Sequence, residues 1–328
     1  MKKFLALATL LAMSSAHADW RPTVLDRYYT LTINYGGGSR SIMEFETANG
    51  PLRSVAEQVV SIPYGLEQGL NTYVAQLVNS NGAHFLQGHL SGSINASIRP
   101  QSSGVTYLGL NGFSYYALSS YSGSKFGILN YTCQNQLYLN NVSVTAQYGS
   151  VNGALGSNVG LTFSPTSNTD CDTNLGWIIP GVDRLVNSVA TKVDAGIEAT
   201  LLNSAAKVKD SLFFARDQNF LVGLNKLVPA DTVIALPGGG TFALGQYVQN
   251  NMAYLLANSQ INAKIDRGAV VDNVVGNDFP GADITGNVIT LAVTTPGTSF
   301  SVQLQQTSDI RWNWVCNIAQ PQAVCEQP

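Results

Sequence analysis

The sequence predicts an α+β fold, an antiparallel sheet accompanied by long amphipathic helices and ending in a β-rich C-terminal part. Three observations lead there. Apolar residues recur at steps of three and four over 52–77 and again over 182–212, the signature of one helix face. Alternating apolar runs punctuated by Gly, Ser and Asn fill 83–163, and similar runs return after 260, as strands with turns between them do.

The first eighteen residues are set apart from that reading. Lys2 and Lys3, the apolar run Phe4 to Met13 and the small-residue site Ala16-His17-Ala18 form the three parts of a secretory signal. The mature protein is therefore expected to start near Asp19, in the periplasm or outside the cell. Residues 14–24 hold no cysteine for an acyl anchor. No later stretch approaches the roughly 18 apolar residues of a membrane helix, and the chain ends in Glu326-Gln327-Pro328 without an aromatic terminal strand. Neither a membrane helix nor an outer-membrane barrel is expected. Removing Lys2 and Lys3 from the 17 basic residues leaves 15 against 20 acidic ones, a net charge of −5. With no cluster of Lys and Arg, nucleic acid is a poor partner.

Along the mature chain, Tyr29, Leu31, Ile33 and Tyr35 alternate as a strand, Gly36-Gly37-Gly38 turns, and a second strand follows near Ile42 to Thr47. Leu52, Val55, Val59, Ile62, Leu66, Leu70, Tyr73 and Leu77 then mark a helix with Pro63 inside it, where a kink or a break is expected. An antiparallel meander accounts for 83–163, since short connections cannot supply parallel crossovers. From Pro180, Val182, Val186, Val189, Val193, Ile197, Leu201, Ala205, Val208 and Leu212 predict a second helix to about Phe214, about 50 Å long. The last third reads as a strand over 232–236, a Gly turn, a helix over 243–257 and strands over 261–271, 288–293, 300–304 and 310–315. Ile310, Trp312 and Trp314 share one face of the last strand. The expected divisions are a signal over 1–18, an α+β unit over 19–230, and 231–328 as its extension or a small second domain.

Four cysteines, Cys133, Cys171, Cys316 and Cys325, permit three pairings, and export favours disulfides over thiols. Cys133 with Cys171 and Cys316 with Cys325 are the expected pairs, one stapling the sheet to the start of the second helix and one closing the tail.

No constellation names a reaction, and no enzyme activity, cofactor or metal is expected. His84 and His89 are the only histidines after the signal; five residues apart on a strand, they point to opposite faces. No Gly-x-Ser-x-Gly elbow occurs. Glu44 and Glu46 imitate paired carboxylates but read more simply as the solvated face of an edge strand. Asp170, Asp172 and Asn174 start like a calcium loop, yet Gly176 falls one position late and Gly181 stands where the bidentate Glu belongs. A looser cluster of Asp272, Asp278 and Asp283 reads as ordinary polar loop. Gly238 to Gly240 lacks the Gly-Lys-Ser/Thr ending of a phosphate loop and reads as a tight turn. The aromatic run Phe113, Tyr115, Tyr116 and Tyr121 reads as core packing and sheet pairing.

The order of hairpin, long helix, meander with Cys133 and Leu137-Tyr138-Leu139, then Cys171 and the segment from Leu175 to Phe214, resembles the tubular lipid-binding (TULIP) superfamily, the fold of bactericidal permeability-increasing and lipopolysaccharide-binding proteins. The resemblance covers about residues 23–230 and is one of pattern. It implies a strongly bent antiparallel sheet wrapped around the helices, an apolar groove between them, and an exported carrier of a lipid or other long apolar ligand. Val189, Val193, Ile197 and Leu201, with Leu66 and Leu70, would line that groove, a small-aliphatic wall suited to acyl chains. Peripheral contact with a membrane or a surface protein fits the same picture. The alternative is a surface or appendage-associated protein that binds a partner, for adhesion or assembly, by strand addition.

Overall fold

The computed structural model describes residues 18–80, 82–101, 105–125, 129–149, 155–173, 230–235, 239–251, 254–255, 258–272, 274–275, 281 and 283–316. The alternation of Val, Leu, Ile and aromatic residues with Ser, Thr, Asn and Gln runs through much of the expected punctuation. It yields strands of unusual length: β1 (Ala18–Tyr35), β3 (His84–Gln101), β4 (Val105–Lys125), β5 (Leu129–Gly149), β6 (Leu155–Thr173) and β12 (Thr298–Cys316) have 18 to 21 residues each. At about 3.4 Å per residue a strand of this kind extends about 60–70 Å. Shorter strands are β2 (Gly38–Phe45), β7 (Ile234–Ala235), β8 (Thr241–Phe242), β9 (Gln260–Ile265), β10 (Val274–Val275) and β11 (Ile284–Thr295).

Ten strands form one antiparallel sheet in the order β10-β1-β12-β11-β9-β3-β4-β5-β6, with β2 also paired to β1; β7 and β8 form a separate two-stranded ribbon. β1 and β2 form the expected hairpin, and β3 to β6 the expected meander. The C-terminal strands β9, β11 and β12 lie between β1 and β3, so they join the N-terminal hairpin to the meander in one sheet.

The helix α1 (Pro51–Ser80) contains Pro63 and continues through it as one helix of 30 residues. Proline suits its first position, where no backbone donor is lost. The Glu44 carboxylate, reaching over from β2, accepts hydrogen bonds from the Leu52 and Arg53 amides at 3.2 and 2.9 Å. An anion at a helix N-terminus satisfies orphan donors and complements the helix dipole. Leu52, Val55, Ala56, Val59, Ile62, Leu66, Leu70, Val74 and Val78 are all buried against the sheet. They meet Tyr29, Leu31 and Ile33 of β1, Leu90, Ile94, Ala96 and Ile98 of β3, and Val302 and Leu304 of β12 in a single apolar core. Each such side chain contributes about 1.5–3 kcal/mol when withdrawn from water.

A bulge in β1 between Val24 and Asp26 shifts the side-chain parity. Trp20 thereby comes onto the same face as Tyr29 and forms a second, smaller cluster with Ile310 and Trp312 of β12. Trp314 joins it, its ring centroid 5.0 Å from that of Trp20. The short helix α2 (Leu244–Asn250) buries Leu244 and Val248.

These elements overturn the expected α+β fold with long helices. Among the described residues the molecule is a large antiparallel sheet with one long helix laid on it. The physical reason is that Ser- and Asn-rich stretches, read as turns, are the solvent-facing half of continuous strands. The helix expected from Pro180 to Phe214 lies outside the described residues. No helix among the described residues is long and apolar enough to cross a membrane.

Candidate functional site: a polar trough on the outer sheet face

With α1 and the apolar side chains on one face, the opposite face of β4, β3, β9 and β11 carries the polar half of the alternation. A depression of about 480 Å³ lies there, lined by Asn95, Ala96, Ser97, Arg99, Asn111, Asn262, Ala263, Lys264, Thr290 and Ala292. Its shape follows from the register. One row across the strands reads Asn111, Asn95, Lys264, Thr290, and the next reads Gly109, Ser97, Asn262, Ala292. Beyond the second row stand Arg99 and its ladder partner Tyr107. Gly109, Ser97 and Ala292, smaller than the residues around them, leave a trough.

Two glycines shape the walls. Tyr107 leans over Gly109, where an added Cβ would meet its ring at 3.2 Å and the Ser97 hydroxyl at 3.1 Å. Gly112 has φ +88°, a left-handed conformation that glycine adopts without penalty. A Cβ there would also collide with the Asn95 amide nitrogen. This glycine sits where β4 is irregular opposite the bulge of β3 between Gly92 and Asn95.

The trough is rich in amides and hydroxyls and holds two cations. Lys264 lies 3.6 Å from the Asp266 carboxylate. Asp266 is itself held by Ser93 and by the Asn287 amide at 2.7 Å. Arg99 is exposed and forms no ion pair among the described residues. Three Asn side chains, each with two donors and an acceptor, beside a free guanidinium make a surface for hydrogen-bonded recognition.

A second polar cluster pins α1 to the sheet. The Glu67 carboxylate accepts hydrogen bonds from the Arg267 guanidinium at 2.6 Å and the Leu90 amide at 2.7 Å, and lies 3.2 Å from His89 Nδ1. Burial works against its ionisation, but the hydrogen bonds from Arg267 and Leu90 and the Arg267 charge prevail and hold the carboxyl below its usual range. Arg267 also donates to the Leu90 carbonyl at 2.9 Å and stacks over Tyr64, 5.1 Å from its centroid. Alongside, the Tyr115 hydroxyl donates to Asn71 Oδ1 at 2.7 Å, and Asn71 donates to the Gly88 carbonyl at 3.2 Å. Burial pushes the Tyr115 phenol well up from its ordinary value. A Cβ at Gly88 would overlap both Asn71 Oδ1 and the Tyr115 hydroxyl.

Of the residues expected to line an apolar groove, Leu66 and Leu70 lie in the closed core between helix and sheet, each 1% exposed. Val189, Val193, Ile197 and Leu201 lie outside the described residues. Cys133 is buried, engaged in a disulfide, and stands directly opposite Cys171 in the β5–β6 ladder. Cys171 thus belongs to a strand and not to the start of a helix. Cys316 ends β12, and Cys325 lies outside the described residues. His84 and His89 are both exposed on β3. Glu46 faces Arg27 at 3.6 Å, so Glu44 and Glu46 serve a helix end and a surface pair. Asp170 and Asp172 lie along extended β6. No group of three or more metal-ligating side chains occurs among the described residues. Gly239 and Gly240 take positive φ in the loop between β7 and β8. Phe113 and Tyr115 are core, while Tyr116 pairs across strands with Tyr138, ring centroids 5.0 Å apart.

The trough escaped sequence reasoning because its residues come from four strands, two of them more than 150 positions from the others. The available signal was weak: Asn-x-Ser-x-Arg over 95–99 and Asn-x-Lys over 262–264 both put polar residues on one strand face. No known family model matches the chain, and no curated protein matches it either.

Proposed function

We propose that the protein is an exported, non-catalytic, surface- or appendage-associated binding protein that engages its partner through the outer face of the sheet. The trough across β4, β3, β9 and β11 is the observation that carries this reading: a concave, hydrogen-bonding surface. The apolar carrier reading has less support, because the helix face at Leu66 and Leu70 is filled by side chains of the sheet.

A photo-crosslinking amino acid at Asn262, in the cells that make the protein, is expected to yield a covalent adduct. The same group at exposed Gln246 on α2 is the control and should yield none. Native mass spectrometry of the wild-type protein purified from those cells should show no stoichiometric acyl lipid. A bound lipid together with no adduct at Asn262 would overturn the proposal and favour the carrier.

A further inference from the structure

We propose that the trough is a saccharide site for carboxylate-bearing glycans, with Arg99 holding the carboxylate and the amides of Asn95, Asn111 and Asn262 reading ring hydroxyls. The inference rests on the reading of the trough as the binding face and names the chemistry of its partner.

Four features point to a sugar. Vicinal hydroxyls both donate and accept, and so do primary amides, so three Asn side chains around one depression match a polyol better than an apolar or purely anionic ligand. The Tyr107 ring, laid over Gly109 at the rim, supplies the apolar body with a polar tip that can pack on a pyranose. The depression, at about 480 Å³, is of a size that holds small ligands, about 300–1,000 Å³. Its rim is open, so a chain can run through it.

The carboxylate preference comes from charge. No Asp or Glu lines the trough. Lys264 is already beside Asp266, whereas Arg99 is free of ion pairs among the described residues and presents a planar fork suited to bidentate capture of a carboxylate. In a chain with 11% charged residues, that leaves Arg99 as the cation of the trough with an open valence.

The test is calorimetric titration of the whole mature protein with hexagalacturonate and with the same oligomer after carboxyl reduction. The acidic oligomer should bind saturably and at least tenfold more tightly than the reduced one. Arg99→Gln should remove that preference while retaining weak binding of both. Asn262→Asp, nearly isosteric at an exposed position, should weaken the acidic oligomer at least tenfold by placing a carboxylate in the trough. Ser97→Trp should abolish binding by filling it. Melting curves of each variant identify any that fail to fold, and Asn262→Asp then carries the test. Equal affinity for the two oligomers, binding insensitive to Asn262→Asp, or no saturable binding at millimolar oligomer would each overturn the glycan assignment. Adduct formation at Asn262 in cells, without glycan binding, would overturn this inference alone and leave the binding face standing.

Discussion

Replacing Glu67 by Gln is expected to destabilise the protein by about 2–3 kcal/mol. The carboxylate accepts from Arg267 and the Leu90 amide through one oxygen, and both Glu67 and Arg267 retain 19% side-chain exposure. A fully exposed ion pair would be worth about 0–1 kcal/mol, and breaking a fully buried one costs about 3–5 kcal/mol. The intermediate exposure places this pair between those limits: the Gln oxygen still accepts, but without the charge that strengthens such a hydrogen bond to about 1.5–3 kcal/mol. For a chain of this length the unfolding entropy is about 0.65 kcal/mol per kelvin, so the melting temperature should fall by about 3–5 °C. The assay is urea denaturation and calorimetry on wild type, Glu67→Gln, Arg267→Met and the double variant. Because Arg267→Met removes the stranded cation, the double variant should lose less than the sum of the singles, with a coupling of at least about 1 kcal/mol. A Glu67→Gln variant within about 0.5 kcal/mol of wild type, or purely additive singles, would refute the idea that this cluster pins the helix to the sheet.

Acid should act on the same cluster. Since the folded Glu67 carboxyl titrates below its ordinary value, its stabilisation is complete above about pH 4.3, the unfolded value. It is lost as pH falls through the lower folded value, so acid melting should be steeper in wild type than in Glu67→Gln. Gly88→Ala should cost about 1–3 kcal/mol by driving apart Tyr115 and Asn71, read by denaturation and by loss of the Tyr115 hydroxyl proton from NMR spectra. Leu66→Ala should cost about 2–5 kcal/mol as a core cavity without altering any co-purified ligand; unchanged stability with loss of a bound lipid would contradict core packing there. Alkylation without reductant should label no cysteine, consistent with the absence of free thiols among the described residues, and any labelled thiol would refute full pairing.

Local alternation and helical spacing predict much of this fold. The hairpin, the helix from Leu52, the meander and the terminal strands each follow from patterns confined to a few tens of residues. Three things do not. The joining of 300–304 and 310–315 into one strand depends on Gln305, Gln306, Thr307 and Ser308 being paired to both β1 and β11, which no local rule foretells. The role of Glu44 is hidden because its helix starts several residues later and the contact exists only once the strand folds back. Strand order is the third: β9 and β3 are adjacent although about 170 residues separate them, and Asn95 meets Lys264 in register. The trough is created by that adjacency.

The same strand order bears on how the chain acquires its structure. Ala18 pairs with Cys316, the first and last described residues of the sheet. β1 is made long before β12 and can find it only once the segments between them are present. The meander β3 to β6, closed by short connections, has everything it needs far earlier, and pairings between distant segments are the slow ones. Until β9, β11 and β12 arrive, the hydrogen-bonding edges of β1 and β3 that they pair with stay open. A nascent or translocating chain therefore passes through a state with two exposed sheet edges. That state invites chaperone capture, and truncation before residue 298 would make it permanent.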